Sequence, residues 1–137
     1  MAKFEGGCSC GKVRYSGEAE PIFAGVCHCK SCQKTTGTSD SVVVAIPAPA
    51  LTVTGDVKVY DSKGDSGQGT HSTFCPNCGS PVTGTADLMQ GAVMIRAGTL
   101  DDSSWLKPTM EIYCDSKMPW VSLGGELKSF PKMPMPG

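Results

Sequence analysis

The chain has 137 residues, with 12 lysines and arginines against 13 aspartates and glutamates, for a formal net charge of −1. That length predicts one domain, 1–137, with room for a core of its own. The near-neutral charge argues against a nucleic-acid surface, and no apolar run is long enough for a membrane-spanning helix.

Taken in chain order, the opening MAKFEGGCSC lacks the apolar stretch of a signal peptide. A cytoplasmic, reducing location is therefore expected, where the eight cysteines act as thiolate ligands or catalytic groups rather than as disulfides. Residues 13–15 (VRY) read as a strand, and 30–36 as one short turn of helix. Residues 41–46 (SVVVAI) are β-branched and too short for a good helix, so a strand is expected. Residues 51–54 and 57–60 flank Gly55-Asp56, which predicts a hairpin. Residues 61–69 (DSKGDSGQG) read as a flexible polar loop, and 92–97 (AVMIRA) and 110–114 (MEIYC) as later strands. Three prolines in PKMPMPG predict an irregular end, within a tail of 121–137 that follows a core of about 4–120. The fold class is mainly β, with cysteine-bearing loops tying the strands together.

The cysteines fall into groups: Cys8-x-Cys10, Cys27-x-Cys29-x2-Cys32, Cys75-x2-Cys78 and Cys114. In FCPNCGS the proline and glycine suit a zinc knuckle whose turn points N–H groups at sulfur, with Gly79 supplying a positive φ. Tetrahedral zinc takes four ligands. Two cysteines from 8/10 and two from 75/78 close one structural site, which clips the N-terminus to the middle of the chain and couples metal binding to folding. Cys27, Cys29 and Cys32 remain as a three-thiolate cup. Its fourth corner is open, as in catalytic zinc sites, or is taken by water, His28 or Cys114; with Cys114 it becomes a second closed site.

GGCSCGKVRY, CHCKSCQKTTG, FCPNCGS and the DSKMPW segment, in that order, resemble the glutathione-dependent formaldehyde-activating enzyme family, which includes centromere-protein-V-like proteins. The resemblance runs over roughly residues 4–120. It implies a β-tent fold with two zinc ions per chain: a structural one held at Cys8, Cys10, Cys75 and Cys78, and a catalytic one held at Cys27, Cys29 and Cys32 with its fourth position free for substrate. The chain departs from the family at Glu111-Ile112, where members often carry histidine and isoleucine, and at Cys114, where an apolar residue is expected.

Three thiolates and one zinc sum to −1, a soft site better suited to a substrate thiol than to activating water. The expected activity is that of a carbon–sulfur lyase joining a thiol such as glutathione to formaldehyde as an S-hydroxymethyl adduct, or splitting that adduct. Lys30 and Lys34 are read as solvated lysines on a turn, the alternative being anchors for glutathione carboxylates. His28, between two ligands, should point away from the cup. His71 is expected at the surface, Trp120 in the core, and Cys114 buried in a strand with Ile112. Gln33 and Thr36 are candidates to hydrogen-bond substrate or sulfur, and Ser116 and Lys117 are weaker candidates for the pocket lining. The main rival is a zinc-ribbon-like protein-interaction module with both zincs structural; a redox or zinc-storage role is a third reading. A zinc deaminase is disfavoured, because His28 is not followed by the required glutamate.

Overall fold

A computed structural model describes residues 2–64 and 67–134. The chain forms eleven strands and one α-helix among these residues. In order they are β1 (Ala2–Gly7), β2 (Arg14–Ala19), β3 (Phe23–Cys27), α1 (Lys30–Thr36), β4 (Ser41–Pro47), β5 (Leu51–Thr54), β6 (Lys58–Lys63), β7 (Gly69–Phe74), β8 (Pro81–Ala86), β9 (Ala92–Arg96), β10 (Met110–Ile112) and β11 (Lys128–Ser129). They build two sheets. The smaller runs β1-β2-β5, and the larger runs β11-β10-β3-β4-β9-β8-β7-β6.

β4 is the clearest product of local sequence. Its β-branched run suits a pleated surface, and Val43, Val44, Ala45 and Ile46 are all buried because strands pair with it on both sides. The side-chain period of two then divides the large sheet into two functional faces. On β9, Val93 and Ile95 enter the main core, together with Phe4 and Tyr15 from the small sheet, Val13 just before β2, and Val44, Ile46 and Val82 from the large sheet. Met94 and Arg96, on alternate positions of β9, turn instead toward a cavity. β3 is divided the same way, with Ala24 in the core and Phe23 and Cys27 at the cavity.

The expected hairpin at Gly55-Asp56 does not form. β5 pairs with β2 in the small sheet, whereas β6 pairs with β7 at the far edge of the large one. Gly55 has φ 94°, and a Cβ there would sit 2.1 Å from the carbonyl oxygen of Lys12. Its glycine serves a close approach of the chain leaving β5 to the segment that leads into β2, and a Gly-Asp pair reads the same in either setting. The expected loop at 61–69 is shorter than its polar run, because strand enters it from both ends. Asp61 to Lys63 extend β6 and Gly69 opens β7, their ladder running from Lys58↔Phe74 to Lys63↔Gly69; residues 65 and 66 lie outside the described residues. Polar side chains are tolerated here because the hairpin forms the sheet edge.

Two further expectations are corrected. β10 stops at Ile112, Tyr113 adopts the left-handed region at φ 56°, and Cys114 starts a 3₁₀ turn, Cys114–Ser116, where it is half-buried. Trp120 is 74% exposed, so it lies outside the core; the stretch around it, 113–127, carries no strand to bury an indole. After residue 120 regular structure is sparse, but β11 pairs in parallel with β10. Cys114 N–H donates to the Phe130 carbonyl (3.0 Å), so the end of the chain straps the turn after β10. Residues 135–137 lie outside the described residues. No helix among the described residues is long and apolar enough to cross a membrane.

Candidate metal centre and active site

Cys8, Cys10, Cys75 and Cys78 lie with their sulfurs within 4.8 Å of one another. Cys8 and Cys10 follow β1, and Cys75 and Cys78 sit in the turn between β7 and β8. The Sγ atoms of Cys8 and Cys10 are 3.6 Å apart, and those of Cys10 and Cys75 are 3.7 Å apart. Zinc–thiolate bonds of about 2.3 Å give a tetrahedron whose edge is about 3.8 Å. The spacing thus fits four sulfurs around one ion and is far from a disulfide bond length. Backbone groups aim at the sulfurs, as the knuckle motif predicts: Val13 N–H lies 3.3 Å from Cys8 Sγ and Asn77 N–H 3.4 Å from Cys75 Sγ. Gly79 has φ 80° and its N–H closes the turn onto the Cys75 carbonyl at 2.8 Å. Hydrogen bonds, first from the Ser80 hydroxyl and then from backbone, hold the Cys78 thiol down to about 5. The Cys78 thiol is thereby ready to lose its proton to a cation.

The second cluster is Cys27, Cys29 and Cys32, also within 4.8 Å of one another. Cys27 ends β3, and Cys29 caps α1, its Sγ accepting the Cys32 N–H at 3.3 Å. The three thiols do not ionise alike. Hydrogen bonds from Cys27 and Cys29, aided by the charge of Arg96, hold Cys32 down to about 3. Cys27 is pushed far up by its bonds to Cys29 and Cys32 and by burial, and Cys29 is pushed up to about 11. Three like charges in one buried cup need a cation to coexist, which is the chemistry of a trithiolate metal site.

The cup opens onto a cavity of about 120 Å³ that all three cysteines line. Cys114 does not close it. The Cys114 sulfur groups instead with His28 and Glu111, behind the cup. His28 turns away from the three sulfurs, as its place between two ligands predicts. It is fully buried, with Nε2 2.9 Å from Glu111 Oε1. Glu111 also accepts from Lys117 Nζ on Oε1 (3.0 Å) and from Ser129 Oγ on Oε2 (2.8 Å). Burial pushes this carboxyl up, but the bonds from Lys117, Ser129 and His28 outweigh it and hold the group below its usual range. An ionised carboxylate only accepts, so the Nε2 of His28 carries the proton. The network holds the peptide between two cup cysteines to β10.

The remaining candidates divide. Lys30 and Lys34 are exposed on α1, apart from the cavity lining. Gln33 is buried, but its amide donates to the His28 and Ser116 carbonyls (2.8 and 2.9 Å) and braces backbone rather than sulfur or substrate. Thr36 donates to the Cys32 carbonyl at 2.7 Å, a bond within the helix. Lys117 is committed to Glu111, and neither it nor Ser116 lines the cavity. His71 is at the surface, bonded to Asp61 (2.6 Å) and Asp87 (2.9 Å). Arg96 was not anticipated. It lies in the cavity wall, its Nη1 donating to Ser41 Oγ at 2.7 Å and its Nη2 to Ser72 Oγ at 3.4 Å. The signal was an arginine at the end of an otherwise apolar strand, AVMIR.

Searched against curated proteins, the sequence has no match. Among solved structures, a Rhodobacter sphaeroides protein, solved by crystallography as a structural-genomics target, superposes with a TM-score of 0.59. It is 19% identical and the match covers 76% of this chain and 91% of that one, a likeness of fold. The pattern of the family described as glutathione-dependent formaldehyde-activating enzyme matches residues 3–116. With the cysteine clusters already placed, that match over most of the chain identifies it as a member of the glutathione-dependent formaldehyde-activating enzyme family.

Proposed function

We propose that the chain is a zinc-dependent carbon–sulfur lyase of β-tent fold that acts in the cytoplasm on a thiol–aldehyde adduct, with S-hydroxymethylglutathione as the reference substrate. Cys8, Cys10, Cys75 and Cys78 hold a structural ion that clips β1 to the β7–β8 turn. Cys27, Cys29 and Cys32 hold a catalytic one. The carrying observation is the cup itself: three sulfurs converge at the wall of a cavity, while the eighth cysteine is engaged elsewhere. A zinc ion held by three thiolates supplies a soft Lewis-acid corner that favours a thiolate over a thiol.

In the synthetic direction the substrate thiol gives up its proton and its sulfur bonds to the aldehyde carbon. The carbonyl electron pair moves to oxygen, which takes the proton. The cleavage direction reverses each step. The cavity gathers both reactants, making the encounter effectively intramolecular. Arg96, beside Cys32, sets positive charge next to the three thiolates and offsets their excess negative charge.

The test follows glutathione and formaldehyde exchange by NMR with zinc-loaded protein, subtracting the spontaneous rate. Acceleration by the wild type and its loss in Cys32→Ser support the reading. No acceleration over the spontaneous rate refutes the glutathione–formaldehyde reaction, and leaves the second cluster to another thiol adduct or to a structural role as in an interaction module.

A further inference from the structure

The cavity against the cup carries information about the thiol it admits. Most of its wall surface is apolar, contributed among others by Phe23, Val43, Leu88, Met89, Met94 and Met133; the polar lining residues besides Arg96 are uncharged, chiefly serines and threonines. Among the described residues that line it there is no aspartate or glutamate, and Arg96 is the one charged side chain. That guanidinium donates from Nη1 to Ser41 and from Nη2 to Ser72. Its Nε is buried.

Glutathione carries two carboxylates and an ammonium group. Inside this cavity the ammonium meets no acidic partner, and the two carboxylates meet a single cation, Arg96. Burying unpaired charge is strongly unfavourable. Size points the same way: the cavity is about 120 Å³, against roughly 300–1,000 Å³ for pockets that enclose drug-sized ligands. Apolar walls reward a different occupant, since each buried methylene favours binding. Three of the six wall residues named are methionines, whose unbranched side chains adapt to irregular apolar shapes.

We infer that the site prefers a small, uncharged, apolar thiol, of alkyl or arylmethyl kind, over glutathione. This rests on the lyase reading for its chemistry: the same carbon–sulfur bond forms and breaks, with the thiol proton passing to the carbonyl oxygen. The apolar part of the thiol packs against Met94 and Met89 while its sulfur faces Cys27, Cys29 and Cys32.

The experiment measures binding and turnover separately, on full-length zinc-loaded protein. Isothermal titration compares phenylmethanethiol with glutathione, and NMR then follows formaldehyde exchange with each thiol. Met94→Trp and Met89→Trp, both filling the cavity, are run alongside; zinc content and thermal melting identify the variants that fold. The expected result is that phenylmethanethiol binds about tenfold or more tightly than glutathione, and that a folded variant loses this binding. Equal or tighter binding of glutathione, no detectable binding of either thiol, or unchanged binding in both folded variants overturns the inference. If phenylmethanethiol binds as expected but exchange is not accelerated, the lyase reading falls and the preference stands. If exchange is accelerated with glutathione favoured, the lyase reading stands and the preference falls.

Discussion

Replacing Glu111 by alanine removes the acceptor for three donors at once. The consequences differ by exposure. Ser129 is exposed, and the Lys117 side chain is 24% exposed, so both can turn to water. His28 is fully buried and its Nε2–H has nowhere else to go. Orphaning that donor costs about 1–3 kcal/mol, and losing the charge-assisted bond from Lys117 adds about 1.5–3 kcal/mol before the lysine recovers part of it from water. The net expectation is about 3–5 kcal/mol, as for breaking a buried ion pair. For a domain of this size that corresponds to a melting temperature lowered by roughly 10–20 °C. Glu111→Gln keeps the shape and one acceptor oxygen facing His28 but gives up the charge, so it should cost only about 1 kcal/mol. Thermal unfolding and zinc content of both variants are the assay. Because His28 lies between Cys27 and Cys29, the alanine variant should also lose zinc from the cup more readily. A melting temperature for Glu111→Ala within about 5 °C of wild type would refute the clamp, and a glutamine variant as unstable as the alanine one would show that charge, not satisfaction of His28, is what matters.

Gly55→Ala forces a positive φ on alanine, costing about 1–3 kcal/mol before the clash with the Lys12 carbonyl is counted; urea unfolding should show a loss at least that large. Ile95→Ala, at a fully buried core position, should cost about 2–5 kcal/mol by the same assay, whereas Trp120→Ala should stay within about 0.5 kcal/mol. Hydrogen bonds that the ring donates to Asp61 and then to Asp87 raise the His71 value above 6.5. Its contribution to stability is therefore fully present below 6.5 and fades as pH rises through the folded value. NMR titration of the ring should place that value above 6.5, and a double Asp61→Asn, Asp87→Asn variant should bring it back.

Much of the site was legible because metal chemistry imposes spacing. Cysteine pairs one or two residues apart can converge only through tight turns, so the two clusters followed from the sequence, and the short helix at Lys30–Thr36 followed from the turn between them. β4 was visible because continuous β-branched burial leaves no other reading. The failures share a cause: long-range pairing. Nothing local tells Gly55-Asp56 that its two strands belong to different sheets, or that the polar run at 61–69 finds a ladder partner. Glu111 stood out as a departure from the family pattern, yet its role needed His28, Lys117 and Ser129, which lie far apart in sequence and meet only when β3, β10 and β11 align. Arg96 was hidden for the same reason. Its strand was foreseen, but the face it presents depends on register.

The most direct test of the central claim is the zinc content of Cys32→Ser measured beside the wild type. Two zincs per chain in the wild type and one in the variant, with the melting temperature little changed, is the predicted result: the four-cysteine clip survives and the cup is emptied. Loss of both metals together, or retention of two tightly held zincs in Cys32→Ser, would contradict a division into a structural clip and an independent three-thiolate cup.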